Sequence, residues 1–451
     1  MSLSPDQELC TTEFLKFLMS KTQPELVITA PPGRGKTFIT KHLMKKTRDI
    51  GHLLTTIGFE KGQLAIHVTA TTNKAAEVAC VMLDAPVQTI HSFLGLVPKL
   101  NYRTGKEDLT KSKRFKILKP MLVVIDEAGT VSTELLAFIR EACIHCKICY
   151  VGDDAQTSPV GEAFCPVFEQ GIPTVYLTTN HRNAGAIGDL ADEMRKAVYT
   201  TAEVMRCDLA IKELVLDGIA VPDDMRVELR AAQSLVVFPD IVDNGYDIIR
   251  VDGNQFQSMV DYDYQLAGRD VNDGKIVAWR NDVVNEFNAY VRSLYTTDPY
   301  LVAGEEAITN KAITVGGVMM ASADSVLSIT IARTDSVEMG IDGNWLEIGG
   351  NFDVFQAHDL KQVKALLNGY YKVGDFENYH IAKELFADLR PSHACTVHKS
   401  QGSTYKTVYI DLGDIGSCYE ANAVARMLNT AISRASERLV LFGELPLKYR
   451  S

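Results

Sequence analysis

Short hydrophobic runs rich in β-branched residues recur along the first part of the chain, separated by segments with the spacing of amphipathic helices. An apolar pattern of near-helical spacing over residues 5–21 precedes the first run. Such runs are typical of strands buried on both faces, and their alternation with helices predicts a parallel sheet with right-handed crossovers. The predicted strands are 25–30, 63–70, 121–127, 147–152 and 174–177.

The same alternation starts again near Asn183 and resumes at Cys395. Between residues 302 and 391 the chain instead alternates apolar and polar positions and is rich in glycine, which is typical of antiparallel strands. We therefore predict a β-rich insertion within a second α/β unit. That unit is predicted to contain strands 235–238, 275–279, 407–412 and 438–442, and the insertion strands 312–315, 326–332 and 346–349 and helices 359–367 and 376–389.

The composition is that of a globular chain. A length of 451 residues with 46% hydrophobic residues predicts about three domains with packed cores. No apolar run approaches the roughly 20 residues that span a bilayer, and residues 1–8 lack the basic and apolar regions of a signal peptide. We therefore expect no membrane partner and a cytoplasmic location.

Charge is segregated along the chain. The net charge of −11 argues at first against a polyanionic partner, but nucleic acid responds to local fields. Residues 101–120 contain seven basic residues and two acidic ones, whereas residues 201–274 are rich in Asp. On charge alone, the basic segment is either a nucleic-acid contact or a solvated loop.

The one dense group of cysteines is Cys143, Cys146 and Cys149, with His145 between them. This group spans the predicted end of a helix, 134–146, and the start of a strand. Zinc ribbons have separate C-x-x-C pairs, so we expect buried, reduced thiols here rather than a metal site.

Residues 30–37 read A-P-P-G-R-G-K-T between a predicted strand and a predicted helix, which is the context of a phosphate-binding loop. We expect Lys36 to reach the β- and γ-phosphates of a nucleoside triphosphate and the Thr37 hydroxyl to ligate Mg²⁺. Ala30 replaces the usual first glycine, which is compatible with a strand-like φ. The predicted nucleotide contacts of the loop are Ala30, Pro31, Pro32, Gly33, Arg34, Gly35, Lys36 and Thr37.

Two further predicted strands end in polar residues. Asp126 is placed to hold the Mg²⁺ of the nucleotide, and Glu127 to polarise the attacking water as general base. Gln156, which follows another strand, can hydrogen-bond the γ-phosphate or that water. Since ligands bind outside the carboxyl ends of parallel strands, we expect these side chains near the phosphate loop.

The ordered motifs resemble those of superfamily 1 helicases of the 5′-to-3′ branch, of the Dda and RecD type. The resemblance covers nearly the whole chain, from Gln7 to Arg434, with departures at Thr71, Asn73 and Gly129. The matching segments are 4–7 (S-P-D-Q), 30–37, 69–76 (T-A-T-T-N-K-A-A), 89–94 (T-I-H-S-F-L), 126–129 (D-E-A-G), 153–160 (D-D-A-Q-T-S-P-V), 177–191, 275–288, 394–404 (A-C-T-V-H-K-S-Q-G-S-T) and 428–435 (L-N-T-A-I-S-R-A).

This resemblance implies roles for residues outside the phosphate loop. Gln7 would recognise the adenine of ATP, and Gln401 and Gly402 would contact the nucleotide. Arg182 and Arg434 would stabilise charge on the transferring phosphoryl group, although either alone would read as a surface ion pair. The implied nucleic-acid contacts are Thr72, Asn73, His91, Thr396, His398 and Lys399, with ordinary burial as the alternative for the two histidines.

The resemblance also implies an α/β fold with two RecA-like P-loop motor domains on parallel sheets, a small inserted hairpin and an SH3-like β-rich accessory insertion. The implied boundaries are 1–95 with 120–182 and 183–301 with 392–451 for the motor domains, 96–119 for the hairpin and 302–391 for the accessory domain. In the family that hairpin wedges the duplex apart, so Tyr102 and Leu109 are candidate wedges. In the accessory segment, Trp345, Tyr370, Tyr371 and Tyr379 are either base-stacking or core residues.

The implied function is that of an ATP-dependent, Mg²⁺-dependent DNA helicase. It would move 5′-to-3′ on single-stranded DNA and separate duplexes at single-strand/duplex junctions in replication, recombination or repair. Its cell would be bacterial or phage-infected, with single-strand-binding or other replication proteins as partners. The alternatives are a viral-type RNA helicase, a nucleic-acid-stimulated ATPase clamp that does not unwind, and a helicase subunit of a recombination nuclease.

Overall fold

The structure is a computed structural model that describes residues 3–51, 55, 65–101, 106–179, 185–198, 241–265, 273–316 and 318–449. The chain divides into two compact units, which are described separately. The first contains Met1–Arg250, Gln401–Thr404 and Leu412–Ser451, and the second contains Val251–Ser400 and Tyr405–Asp411.

The helices and strands of the described residues are numbered in chain order. The strands are β1 (Glu25–Thr29), β2 (Ile66–Ala70), β3 (Gln88–Thr89), β4 (Leu96–Asn101), β5 (Lys106–Lys111), β6 (Leu122–Asp126), β7 (Lys147–Gly152), β8 (Thr174–Tyr176), β9 (Ile248–Val251), β10 (Gly274–Ala278), β11 (Glu306–Thr309), β12 (Ile313–Val315), β13 (Val318–Ala321), β14 (Val326–Glu338), β15 (Ile341–Ile348), β16 (Phe352–Ala357), β17 (Leu389–Pro391), β18 (Ala394–Thr396), β19 (Tyr405–Asp411) and β20 (Ala435–Phe442). The helices are α1 (Pro5–Met19), α2 (Lys36–Asp49), α3 (Asn73–Leu83), α4 (Ile90–Leu94), α5 (Thr133–Ala142), α6 (Pro166–Glu169), α7 (Ala186–Lys196), α8 (Gly253–Gln265), α9 (Asn281–Ser293), α10 (Leu360–Val373), α11 (Phe376–Leu385), α12 (Val397–Ser400), α13 (Leu412–Gly416) and α14 (Ala421–Ile432).

The first unit is organised around a parallel six-stranded sheet with the order β3-β2-β6-β7-β1-β8. Successive side chains of a strand point to opposite faces, and on β1 Val27 and Ile28 belong to two different hydrophobic clusters. Helices α1, α2 and α3 contribute to the Ile28 cluster, and α5 to the Val27 cluster. The prediction of an α/β fold with a parallel sheet is confirmed.

Helix α14 lies in the interior of the first unit, where nearly all of its residues are buried. It packs against α7, and that contact joins two elements that are far apart in the sequence. Because α14 ends at Ile432, it delivers Arg434 directly after its last turn. The burial of this helix matters for the site because four of its buried residues are polar: Asn422, Arg426, Asn429 and Thr430.

The second unit combines parallel and antiparallel pairing. Strands β18, β10 and β19 are parallel, and an antiparallel sheet has the order β16-β15-β14-β11-β17. Strand β14 continues beyond the predicted 326–332, and the prediction of a helix over 376–389 is wrong at its end. The helix stops at Leu385 because residues 389–391 pair with β11 instead. An SH3-like topology and the predicted domain boundaries stay predictions, and the predicted strand 235–238 lies outside the described residues.

The cysteine group and Trp345, which the sequence singles out, both lie among buried residues. Cys143, Cys146 and Cys149 are free thiols buried in the first unit. Trp345 packs edge-to-face on Phe355, in a hydrophobic cluster of the second unit. Within the described part of the chain, none of the helices has the length and apolar character needed to cross a membrane.

Candidate nucleotide site and nucleic-acid contacts

The phosphate loop begins as a continuation of β1. The Ala30 amide donates to the Gly152 carbonyl at 3.0 Å, and Ala30 is buried and is not among the residues with positive φ. Gly33 and Gly35 have φ of 80° and 81°, a region that favours glycine. The loop therefore needs glycine at these two positions and tolerates the methyl group of Ala30.

A cavity of about 320 Å³ in the first unit opens over this loop. Lys36 begins α2, and its Nζ donates to the Ala30 carbonyl at 2.8 Å. Most of the predicted catalytic and phosphate-binding residues line the cavity. The lining residues are Pro32, Gly33, Gly35, Lys36, Thr37, Phe38, Ala75, Val78, Met82, Asp126, Glu127, Gln156, Gly402, Thr404, Ser433 and Arg434.

The two carboxylates at the end of β6 have different surroundings. Burial, together with the neighbouring charge of Glu127, raises the pKa of Asp126 to about 6. A divalent cation beside Asp126 would favour its ionised form. Glu127 has a left-handed backbone, with φ of 53° and ψ of 42°.

Five buried polar side-chain atoms around this site have no hydrogen-bond partner within the described residues: Arg34 Nε, Glu127 Oε2, Gln156 Oε1, Gln401 Nε2 and Arg426 Nε. Buried polar groups in folded proteins are almost always paired, so an orphaned group calls for an explanation. Glu127 and Gln156 line the cavity, and the side-chain oxygen Oε1 of Gln401 accepts from the Thr157 hydroxyl at 2.9 Å. Together with the glycine cradle, these atoms fit a polar ligand such as a nucleoside triphosphate.

The loop that carries Gln156 is held by α14, which sequence reasoning missed. Side chains of the helix bond to the backbone of residues 154–157, so the position of Gln156 depends on the helix. The bonds are Arg426 Nη1 to the carbonyls of Asp154 (2.5 Å) and Gln156 (3.0 Å), Asn429 Nδ2 to the Ala155 carbonyl (3.0 Å) and the Thr157 amide to Thr430 Oγ1 (3.1 Å). Buried polar residues on an otherwise apolar helix were the available signal.

Arg434 lines the cavity, and its guanidinium is held by three neighbours. It donates to the carbonyls of Thr430 (3.0 Å) and Ser403 (3.2 Å) and to the Ser433 hydroxyl (2.8 Å). Arg182, the other predicted arginine, lies outside the described residues. The guanidinium of Arg434 is buried and fixed by these three bonds, so it needs no large rearrangement to face an anion in the cavity.

Gly129 explains one departure from the family pattern. A Cβ atom at this position would lie 3.3 Å from the Asp153 carbonyl oxygen and 3.9 Å from Gln401 Nε2. The first distance is tighter than ordinary contact, so the larger side chain that the family has here would crowd the backbone at Asp153.

Gln7, which the resemblance assigns to adenine recognition, is buried, and its Oε1 accepts from the Ser4 amide at 3.2 Å. This bond belongs to the capping box of α1. Gln7 is not among the residues that line the cavity, so its role in base recognition stays a prediction.

In the first unit, the predicted nucleic-acid contacts lie at the starts of short helices. The Thr72 hydroxyl accepts from the Ala75 amide at 3.1 Å and caps α3, whose first residue is Asn73. His91 is half-buried on α4, and burial lowers its pKa, so the imidazole is neutral near pH 7.

In the second unit, the predicted contacts lie around α12. Thr396 Oγ1 accepts from the Lys399 amide at 3.3 Å, and burial lowers the pKa of His398. Lys399 Nζ donates to Asn310 Oδ1 at 2.8 Å and lies 3.0 Å from a carboxylate oxygen of Asp324. A phosphate would therefore compete with Asp324 for this lysine.

The predicted hairpin insertion forms an antiparallel pair between β4 and β5. Leu109 lies opposite Pro98 and packs, half-buried, against a hydrophobic cluster of the first unit. Tyr102 lies outside the described residues. The wedge role of both residues stays a prediction.

Two family models match the chain at the segments that build this site. Residues 3–207 match the AAA domain, and residues 391–442 match the UvrD-like helicase C-terminal domain. The first segment contains Lys36 and Glu127, and the second contains Gln401 and Arg434. The resemblance to superfamily 1 helicases is confirmed, and the second of the two matched domains is a helicase domain.

Individual relatives are distant. Uncharacterized protein R530 of Acanthamoeba polyphaga mimivirus is 23% identical over 493 residues, covering 96% of this chain and 98% of its own. A Pif1 helicase from Bacteroides, crystallised with ADP-AlF3 and ssDNA, is 13% identical with a TM-score of 0.49, covering 100% of this chain and 94% of its own. The Pif1 helicase from Candida albicans is 16% identical with a TM-score of 0.43, covering 100% and 97%.

Proposed function

We propose that the chain is a DNA helicase that moves 5′-to-3′ along single-stranded DNA and separates the duplex at single-strand/duplex junctions. The observation that carries this proposal is the convergence of Lys36, Glu127, Gln156 and Arg434 on one cavity above the phosphate loop. This set contains a phosphate-binding cation, a general base and an arginine, which are the parts that phosphoryl transfer to water requires.

The residues divide the chemistry of ATP hydrolysis among them. Thr37 and Asp126 would hold Mg²⁺, which neutralises charge on the phosphate oxygens when bound. Glu127 takes the proton of the attacking water, and Gln156 orients that water or the γ-phosphate. Arg434 stabilises the charge that develops on the transferring group, an effect worth roughly 10³-fold in related NTPases.

DNA as substrate and the 5′-to-3′ direction rest on the order of the sequence motifs from Gln7 to Arg434. Thr72, His91, Thr396 and His398 supply neutral groups that contact phosphates without reading the bases. The setting that fits is replication, recombination or repair in the cytoplasm, alongside a single-strand-binding protein.

Unwinding of tailed duplexes tests the proposal. A fluorescent duplex carries either a 5′ or a 3′ single-stranded tail, and strand release is followed with ATP and Mg²⁺. We expect release only with the 5′ tail, because a motor with this polarity needs that tail for loading. Release only with the 3′ tail overturns the direction.

Whether the chain acts on DNA or on RNA is tested by steady-state ATP hydrolysis with single-stranded DNA or RNA. We expect greater stimulation by DNA, and the Glu127→Gln variant should bind ATP but not hydrolyse it. Stronger stimulation by RNA favours an RNA helicase. ATP binding without stimulation by either strand favours a clamp.

A further inference from the structure

The hydroxyl group of Thr71 links two segments of the first unit. Thr71 is buried directly after β2, and its Oγ1 donates to the Glu127 carbonyl at 3.0 Å. The Thr130 hydroxyl in turn donates to Thr71 Oγ1 at 2.6 Å. One side chain thus joins the end of β2 to the segment that carries the general base.

The backbone of Glu127 needs such support. Its φ of 53° lies in the left-handed region, which a residue with a side chain rarely adopts and which persists only where surrounding contacts enforce it. The Glu127 carbonyl is held by Thr71 at 3.0 Å and lies 3.2 Å from Thr130 Oγ1. The direction of the Glu127 carboxylate follows from this backbone, and its buried Oε2 has no partner among the described residues.

The next residue in the chain, Thr72, is a predicted nucleic-acid contact. It caps α3 through its hydroxyl, and its carbonyl accepts from the Ala76 amide at 3.0 Å. A phosphate that pulls on Thr72 acts one peptide bond away from the Thr71 hydroxyl. Thr71 is also one of the residues that depart from the family pattern.

We propose that Thr71 is a positioning residue that couples the binding of single-stranded DNA at Thr72 to the orientation of Glu127. The inference rests on the proposed function, since it requires strand-stimulated hydrolysis of ATP. Thr71 touches neither water nor phosphate in this scheme. It acts through the backbone of Glu127.

Substitution of Thr71 tests the coupling. Thr71→Val keeps the shape and removes the donor, whereas Thr71→Ser keeps the donor. We expect Thr71→Val to lower DNA-stimulated kcat about tenfold, which corresponds to about 1.4 kcal/mol in the barrier. KM for ATP and the affinity for single-stranded DNA should change less than about twofold, the unstimulated rate should fall less than the stimulated rate, and Thr71→Ser should restore most of the stimulation.

The matched control is Thr69→Val. Thr69 lies on β2, two residues before Thr71, and its buried hydroxyl donates to the Val124 carbonyl at 3.0 Å, away from Glu127. We expect Thr69→Val to lower the melting temperature as much as Thr71→Val and to leave stimulation intact. Thr130→Val tests the same link from its other side. It removes the hydroxyl that donates to Thr71 Oγ1, so it should reduce stimulation in the same way.

The outcomes separate this inference from the proposed function. Equal losses of stimulation in Thr71→Val and Thr69→Val overturn the coupling, as does a loss of DNA affinity, or an equal fall of the stimulated and unstimulated rates, in Thr71→Val. Normal stimulation in both Thr71→Val and Thr130→Val also overturns it and leaves the proposed function standing. If the unsubstituted chain is not stimulated by DNA, the proposed function fails first.

Discussion

Arg195 and Asp153 form an ion pair in which the carboxylate is almost completely buried, with exposed fractions of 20% and 1% for the two side chains. The other carboxylate oxygen of Asp153 accepts from Gln156 Nε2 at 3.1 Å. Burial alone would raise the pKa of Asp153, but the charges of Arg195 and Lys36 outweigh it and lower the pKa below its usual value. Arg195 thereby fixes the orientation of Gln156 through Asp153.

Arg195→Ala is expected to leave Asp153 buried without its main partner. Loss of one member of a buried pair lowers the free energy of unfolding by roughly 3 kcal/mol. We also expect a lower kcat for ATP hydrolysis, because Gln156 loses its fixed orientation. Denaturant unfolding and steady-state hydrolysis measure the two effects.

The neighbouring Lys196 is the control for this variant. Lys196 is 70% exposed and pairs with Glu193 on the surface, and such pairs contribute about 1 kcal/mol or less. If Lys196→Ala destabilises the chain as much as Arg195→Ala, the ion pair with Asp153 does not have the importance assigned here.

Lys36→Ala should abolish ATP hydrolysis, since the cavity loses the cation that faces the phosphates. We expect turnover to fall by about 10² or more, as for removal of one preorganised electrostatic group. Lys45→Ala, on the exposed side of the same helix, should hydrolyse ATP at the normal rate. Comparable losses in both variants would assign the defect to α2 rather than to the lysine.

Arg434→Ala should lower the hydrolysis rate by about 10³ or more while leaving single-strand binding within about twofold. The reason is that its guanidinium lines the nucleotide cavity and is buried there. Fluorescence anisotropy with a labelled oligonucleotide and steady-state hydrolysis separate the two properties. A substantial loss of binding would place Arg434 on the DNA track instead.

The lowered pKa of Asp6, in the first turn of α1, predicts that the stability of the folded chain depends on pH. Burial alone would raise its pKa, but hydrogen bonds from Ser4, Thr178 and Thr179 lower the pKa well below its usual value of 3.8. A carboxylate with a lowered folded-state pKa contributes stability above the usual value and loses it as the pH falls toward the folded-state value. Asp6→Asn should therefore destabilise the chain at pH 7 and approach the unsubstituted chain as the pH drops below about 4.

Unfolding measured between pH 3 and pH 7 tests this expectation. Glu8→Gln, an exposed change in the same helical turn, is the control and should leave the profile unchanged. A difference between Asp6→Asn and the unsubstituted chain that is constant across this range would contradict the assigned role.

Local pattern was sufficient for the phosphate loop and for the strands that carry the acids. The run at Leu122–Asp126 is apolar and ends in an acid, and the run at Lys147–Gly152 is mostly apolar and is followed by Asp153, so both the strand and its functional end are visible in one window. The role of the polar residues within α14, by contrast, becomes visible only in the structure, where they hydrogen-bond to the loop of residues 154–157. No spacing rule reveals that Arg426 bonds to the backbone of residues 154 and 156.

The helix predicted over 376–389 shows why an element can be predicted correctly but end in the wrong place. Its apolar spacing continues past Leu385, yet Phe386 takes an extended backbone and residues 389–391 join β11. Strand pairing with a segment some 80 residues earlier outweighs local helix preference. Arg195 and Thr71 were missed for the same reason, because their partners are distant in sequence.

The bond between Lys36 Nζ and the Ala30 carbonyl has a consequence for affinity. A free lysine side chain loses roughly 2 kcal/mol of rotamer entropy when it is ordered. In this chain the side chain is already held across its own loop, so a nucleotide meets an ordered lysine. Preorganisation of this kind strengthens binding without any additional contact.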